Sequence, residues 1–166
     1  MKILVIDDDA ALCRSLQIHL ERGGHSVELA HNASDGIARY GEDNFDLAFV
    51  DLKLPDKSGL EVLKAIQQSG ANGLAVMITG TQDMKATIEA VRLGAFDYIR
   101  KPLDLDAVLL TVEKVAQERS RVAGKKKLSA DAEFQPHEFV GGSLKTIEVI
   151  KQIGLLSQSR IPVLVL

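Results

Sequence analysis

Short apolar runs recur along the chain, and most of them end at a polar residue suited to chemistry. Ile3-Leu4-Val5-Ile6 leads into Asp7 and Asp8, Leu47-Ala48-Phe49-Val50 into Asp51, Ala75-Val76-Met77-Ile78 into Thr79, and Phe96 to Arg100 into Lys101. Runs of this kind, bounded by turn residues, are the pattern of strands buried on both faces of a parallel sheet. Between them the apolar spacing lengthens to that of a helix. Leu12, Leu16 and Leu20 recur until Gly23-Gly24 stops the pattern. After a second strand, Val27-Glu28-Leu29-Ala30, Asn32 can cap a helix running to about Tyr40. Leu60, Leu63 and Ile66 mark a third helix after Gly59, and Met84, Ile88 and Val91 a fourth, ended by Gly94. Repeated strand–helix units predict an α/β fold, a doubly wound parallel sheet with right-handed crossovers.

In an open parallel sheet, ligands bind beyond the carboxyl ends of the strands, so Asp7, Asp8, Asp51, Thr79 and Lys101 are expected to converge on one crevice. Carboxylates held that close repel and raise one another's pKa. A hard divalent cation relieves the repulsion, and Mg²⁺ suits such oxygen ligands, while a lysine and a hydroxyl beside it can hold phosphoryl oxygens. The set suits phosphoryl transfer to a carboxylate. Asp51 stands alone at a strand end and is the expected nucleophile, forming an aspartyl phosphate; the adjacent Asp7 and Asp8 suit metal holding. Asp9 is read as a helix cap, and Asp56 and Ser58 as residues that shape the turn after Pro55.

The stretches Val5-Ile6-Asp7-Asp8-Asp9, Val50-Asp51-Leu52-Lys53-Leu54-Pro55-Asp56-Lys57-Ser58-Gly59, Ile78-Thr79-Gly80 and Lys101-Pro102 together resemble the receiver domain of two-component response regulators. The resemblance implies a flavodoxin-like (CheY-like) five-stranded sheet of order 2-1-3-4-5. It implies that Asp51 accepts phosphate from a sensor histidine kinase, and that Asp7, Asp8, Asp51 and the backbone carbonyl of Lys53 ligate Mg²⁺. It further implies that Thr79 and Lys101 contact the phosphoryl group, that Tyr98 changes rotamer with Thr79, and that the Lys101–Pro102 peptide is cis.

The last receiver helix is expected from Asp104 to about Val122. Leu105, Val108, Val112, Val115 and Val122 follow a three-four alternation interrupted by Arg119, with Leu109 and Ala116 as a second stripe. Either the first half packs on the sheet and the rest is a solvated extension, or the helix pairs two receivers into a homodimer. The receiver is assigned to 1–122 and an interdomain linker, with Lys125-Lys126-Lys127 and Pro136, to 123–138. Residues 139–166 resemble the opening of the AAA+ ATPase domain of NtrC-like activators that work with the enhancer-dependent sigma factor, sigma-54. The Gly-rich phosphate loop that follows in that family is missing, so no ATP site is expected here. The expected parent binds DNA and sigma-54 RNA polymerase through other domains. NtrC-like receivers often carry Gly-His-Gly-Asp after the switch threonine, whereas this chain reads Gly80-Thr81-Gln82-Asp83, a change that bears on phosphoryl lifetime.

Composition changes this picture little. The 166 residues are 46% hydrophobic and 26% charged, with net charge −3 and a single cysteine, Cys13, expected to be packing rather than chemistry. No run approaches a membrane span and the first strand is too short for a signal peptide, so a cytoplasmic protein is expected. His19, His25 and His31 do not form a ligand set on any one element. Two other classes compete with the phospho-accepting switch. A receiver could signal without phosphorylation. A haloacid-dehalogenase-type phosphatase also uses a strand-end Asp, Mg²⁺ and a Lys, but places an acid–base Asp two residues after its nucleophile, where this chain has Lys53.

Overall fold

The computed structural model describes residues 1–80 and 84–125. Within them, strands and helices alternate: β1 (Lys2–Ile6), α1 (Ala10–Arg22), β2 (Ser26–Ala30), α2 (Ala33–Glu42), β3 (Leu47–Asp51), α3 (Gly59–Gln68), β4 (Leu74–Thr79), α4 (Met84–Arg92), β5 (Asp97–Arg100) and α5 (Leu105–Lys125). The strands form one parallel sheet in the order β2-β1-β3-β4-β5, the flavodoxin-like order.

Period-two alternation along each strand sorts the apolar side chains onto two faces. Ile3 and Val5, Leu47 and Phe49, Val76 and Ile78 pack with Cys13, Leu16 and Leu20 of α1 and Val108, Val112 and Val115 of α5. Leu4 and Ile6, Ala48 and Val50, Ala75 and Met77 pack with Ala33 and Tyr40 of α2, Val62, Leu63 and Ile66 of α3 and Ala90 of α4. The sheet is therefore buried on both sides, as its near-continuous apolar strands predicted.

The helix starts follow local chemistry. Asp9 accepts from the Ala11 and Leu12 amides, each at 3.0 Å, and Asn32 from the Asp35 amide at 2.8 Å, so both are caps. Ser58 caps α3 by accepting from Leu60. Asp104 accepts from the Asp106 amide at 3.0 Å and opens α5.

Leu105, Val108, Val112 and Val115, the first part of the heptad-like stripe, are spent on the core. Arg119, the residue that interrupts the stripe, reaches back under the sheet. Its guanidinium lies 2.6 Å from an Asp46 carboxylate oxygen and donates to the Asn72 carbonyl at 2.8 Å, pinning α5 to the segments that enter β3 and β4. None of the described helices is long and apolar enough to cross a membrane. The Thr81 to Asp83 departure, the lysine run beyond Lys125 and the expected AAA+ fragment lie outside the described residues.

Candidate functional site

Strand register brings the site together. Asp51 pairs with Ile78 and Thr79 with Arg100, so β3, β4 and β5 end side by side. Backbone bonds continue past the strand ends, from the Leu52 amide to the Ile78 carbonyl and from the Lys101 amide to the Thr79 carbonyl, each at 2.8 Å. Asp7 follows β1 directly, with its amide donating to the Ala30 carbonyl of β2.

Asp7, Asp51 and Thr79 are buried, and Asp8 is exposed at the rim. The Asp7, Asp8 and Asp51 carboxylates each offer an oxygen within 4.8 Å of the others, among the described residues the one cluster of this kind. Lys101 Nζ stands between two of them, 2.7 Å from Asp51 Oδ2 and 2.8 Å from Asp7 Oδ2. It donates an aligned hydrogen bond to Asp51. Asp7 Oδ2 is buried, and its contact is the ion pair with Lys101. The other oxygens are held by the chain itself: Asp7 Oδ1 accepts from the Asp9 amide at 3.0 Å and Asp51 Oδ1 from the Lys53 amide at 3.2 Å. Lys53 is exposed on the loop after β3 and bridges Ser58. Tyr98 on β5 is half-buried against the cluster that includes Met77 and Ala90. The Lys101–Pro102 peptide is cis, as the resemblance implied.

Burial pushes the Asp7 carboxyl above its usual pKa. Lys101 and the Asp9 amide pull it back, and the nearby Asp51 charge adds to the rise. For Lys101, burial alone would lower the pKa, but the Asp51 and Asp7 carboxylates outweigh it and the ammonium is held more firmly than usual. Thus one cation is shared by two buried carboxylates that remain mutually repulsive, with the Asp8 carboxylate within reach of both. That is a donor set that fits a hard divalent cation.

Four contributors escaped the sequence reading. Cys13 donates its thiol to the Asp7 carbonyl at 3.2 Å, and His31 Nδ1 lies 3.2 Å from the same oxygen, so the Asp7 backbone is supported from α1 and from the end of β2. Burial, with the Asp7 and Asp9 charges added, pushes the Cys13 pKa to about 11. Gly59 lies against β3: a Cβ there would stand 2.0 Å from the Asp51 carbonyl oxygen, so only glycine lets α3 start this close to the site. Asp56, read as a turn residue, reaches α2: it accepts from the Ala33 amide at 2.8 Å, the Ser34 amide at 2.9 Å and the Ser34 hydroxyl at 2.7 Å. Gly59 opened a helix in the sequence pattern, but the three cross-element contacts had no local signal.

The family model of the response regulator receiver domain matches residues 3–113. The acid tolerance regulatory protein ActR of Rhizobium meliloti is 36% identical over 117 residues, which cover 70% of this chain and 60% of ActR. The transcriptional regulatory protein ZraR of Salmonella typhimurium is 29% identical over 163 residues, 98% of this chain but 36% of ZraR, so the chain spans only part of the length of such relatives. Among solved structures, a CheY-like response regulator receiver domain protein from Methanospirillum hungatei JF-1 is similar with a TM-score of 0.69 at 32% identity, over 72% of this chain and 97% of that one. A Burkholderia pseudomallei response regulator protein, described with a phosphorylated aspartic acid, a calcium ion and citrate, has a TM-score of 0.64 at 27% identity, over 75% of this chain and 74% of that one. With the match covering well over half of its length, and the strand order and acidic cluster in place, the chain belongs to the response regulator receiver domain family of two-component systems.

Proposed function

We propose that this receiver is a phospho-accepting switch in which Asp51 takes a phosphoryl group from a sensor histidine kinase. The observation that carries the reading is the pairing of Asp51 with Lys101 at 2.7 Å inside a cluster of three carboxylates. Asp7, Asp8, Asp51 and the Lys53 backbone carbonyl would hold Mg²⁺, which supplies charge neutralisation for the incoming phosphoryl oxygens.

An Asp51 carboxylate oxygen attacks the phosphorus of a phosphohistidine. The new O–P bond forms as the P–N bond breaks, and the electron pair leaves with the imidazole nitrogen. The Lys53 amide and Lys101 orient the nucleophile beforehand. Lys101 then moves its hydrogen bond from the carboxylate to a phosphoryl oxygen, and the Thr79 hydroxyl supplies a second contact. Drawing Thr79 towards the phosphate makes room for Tyr98 to turn inward, which changes the face formed by α4 and β5.

The output is control of an attached sigma-54-dependent activator of the NtrC-like class, through receiver pairing in which α5 takes part. In that arrangement 1–122 is the receiver, 123–138 the linker and 139–166 the opening of the AAA+ domain. The parent is a cytoplasmic transcription regulator, and the receiver itself is no enzyme beyond its own phosphorylation and dephosphorylation.

Intact mass after incubation with Mg²⁺ and a small acyl-phosphate donor tests the core of this. One labile phosphoryl adduct is expected on the wild-type chain and none on Asp51→Ala. An adduct that persists in Asp51→Ala, or rapid turnover of added phosphoesters, refutes the assignment.

A further inference from the structure

The loop between β3 and α3 carries Lys53, and its own fixed points are few. The Gly59 amide donates to the Leu52 carbonyl at 2.9 Å, and Lys53 bridges Ser58 in antiparallel fashion, so the loop closes into a small turn. Beyond that bridge, the tip is tied through Asp56, whose two carboxylate oxygens take the Ala33 and Ser34 amides and the Ser34 hydroxyl. These contacts span 22 and 23 positions of sequence and cross from one strand–helix connection to another.

We propose that Asp56 is a positioning residue for the acceptor site, strapping the Lys53 loop to the start of α2 so that the Lys53 peptide group faces Asp51 and its cation. The inference rests on the reading of Asp51, Asp7 and Asp8 as the Mg²⁺ and phosphoryl site, and deepens it.

The strap has the chemistry to hold. Asp56 is exposed, where a carboxylate ordinarily gains little from one partner. Here it meets unpaired amides at a helix start, which favour negative charge. The Ser34 hydroxyl foremost, then the Ala33 and Ser34 amides, hold its pKa well below the usual carboxylate range, so the strap stays ionised throughout the neutral range. Asn32 fills the next amide of the turn, that of Asp35, so Asp56 and Asn32 divide the helix start between them. The residue before that cap, His31, lies against the Asp7 carbonyl. The chain of contacts therefore runs from Asp7 through the β2–α2 connection to Asp56 and back through Lys53 to Asp51. A contact that holds a metal ligand in its orientation is worth about ten-fold or more in metal affinity.

The test uses the full chain, titrated with MgCl₂ while amide resonances are followed by NMR, for wild type, Asp56→Ala and Asp56→Asn. Asp56→Ala is expected to raise the Mg²⁺ dissociation constant about ten-fold and to move the Lys53, Ala33 and Ser34 amide resonances before any metal is added. Asp56→Asn, which keeps an oxygen for one of the two amides, falls between. Should Asp56→Ala fail to fold, the asparagine variant carries the comparison alone. A melting temperature that drops while Mg²⁺ affinity stays within about two-fold of wild type would reduce Asp56 to a cap for α2 and overturn the proposal. So would a loss that disappears in about 0.5 M KCl, which would trace it to unscreened charge alone. A wild-type chain that binds Mg²⁺ but takes up no phosphoryl group counts against Asp51 as acceptor and leaves the Asp56 comparison standing.

Discussion

Replacing Lys101 with methionine keeps the aliphatic stem and removes the charge, so its effect isolates what the ammonium does for the acidic cluster. Two unit charges about 2.7 Å apart at an effective dielectric near 20 attract by about 6 kcal/mol, and Lys101 makes two such approaches. Most of that gross attraction offsets the cost of burying the ions. Truncating one partner of a buried pair typically costs about 3–5 kcal/mol, because the abandoned charge remains. The Lys101 side chain is 25% exposed, so solvent screening brings the expected loss to about 2 kcal/mol. For a chain of this size that is a fall of about 6 °C in melting temperature, in EDTA at pH 7.

The pH dependence carries the mechanism. Asp7 has a folded-state pKa above its unfolded value of 3.8. Its contribution is therefore most favourable below 3.8 and is lost as pH rises through the elevated value. Without Lys101 that pKa rises further, so the variant regains stability as pH falls from neutral towards 3.8 and the gap to wild type narrows. The raised Lys101 pKa puts the loss of its own contribution in wild type above 10.5, outside this window. Saturating Mg²⁺ narrows the gap too, by neutralising the same carboxylates. Melting curves followed by circular dichroism at several pH values, with EDTA or MgCl₂, decide it. A variant that melts at or above wild type in EDTA at pH 7, or a gap that stays constant down to pH 3.8, refutes the reasoning.

Two further outcomes follow from the packing around the site. Gly59→Ala forces a methyl group into the Asp51 carbonyl oxygen, so urea denaturation should show a loss of about 2–4 kcal/mol, together with slower phosphoryl uptake; a loss under about 0.5 kcal/mol would mean α3 moves freely away from β3. Cys13 is buried and has a pKa of about 11, so a thiol reagent at pH 8 should react at least about a hundred-fold more slowly with the folded chain than in denaturing urea, and comparable rates would refute its burial beneath Asp7.

Strand–helix alternation and the convergence of the polar strand ends were readable because both depend on local patterns. An apolar run, a cap such as Asp9 or Asn32, and a polar residue at a strand terminus declare themselves within a few residues. The heptad-like spacing of α5 was ambiguous for a physical reason: Val108, Val112 and Val115 make the same stripe whether they face a sheet or a second helix, and here they face the sheet. Arg119 looked like a break in that stripe because its partners, Asp46 and the Asn72 carbonyl, are 73 and 47 positions away. Asp56, Cys13 and His31 were hidden in the same way. Each has a bland local reading, as turn, core or surface, and acquires its contact only when another connection folds over it.

Lys101 directly follows β5, the last strand in the chain, while the carboxylates it meets follow β1 and close β3. As the chain leaves the ribosome, Asp7, Asp8 and Asp51 are all present long before their counter-charge, and the partial sheet must carry its repulsion unaided. On the proposed reading of the cluster, a divalent cation held by the same carboxylates would stand in for the missing ammonium during that interval. The supply of the ion in the cell would then affect the yield of folded protein as well as its signalling.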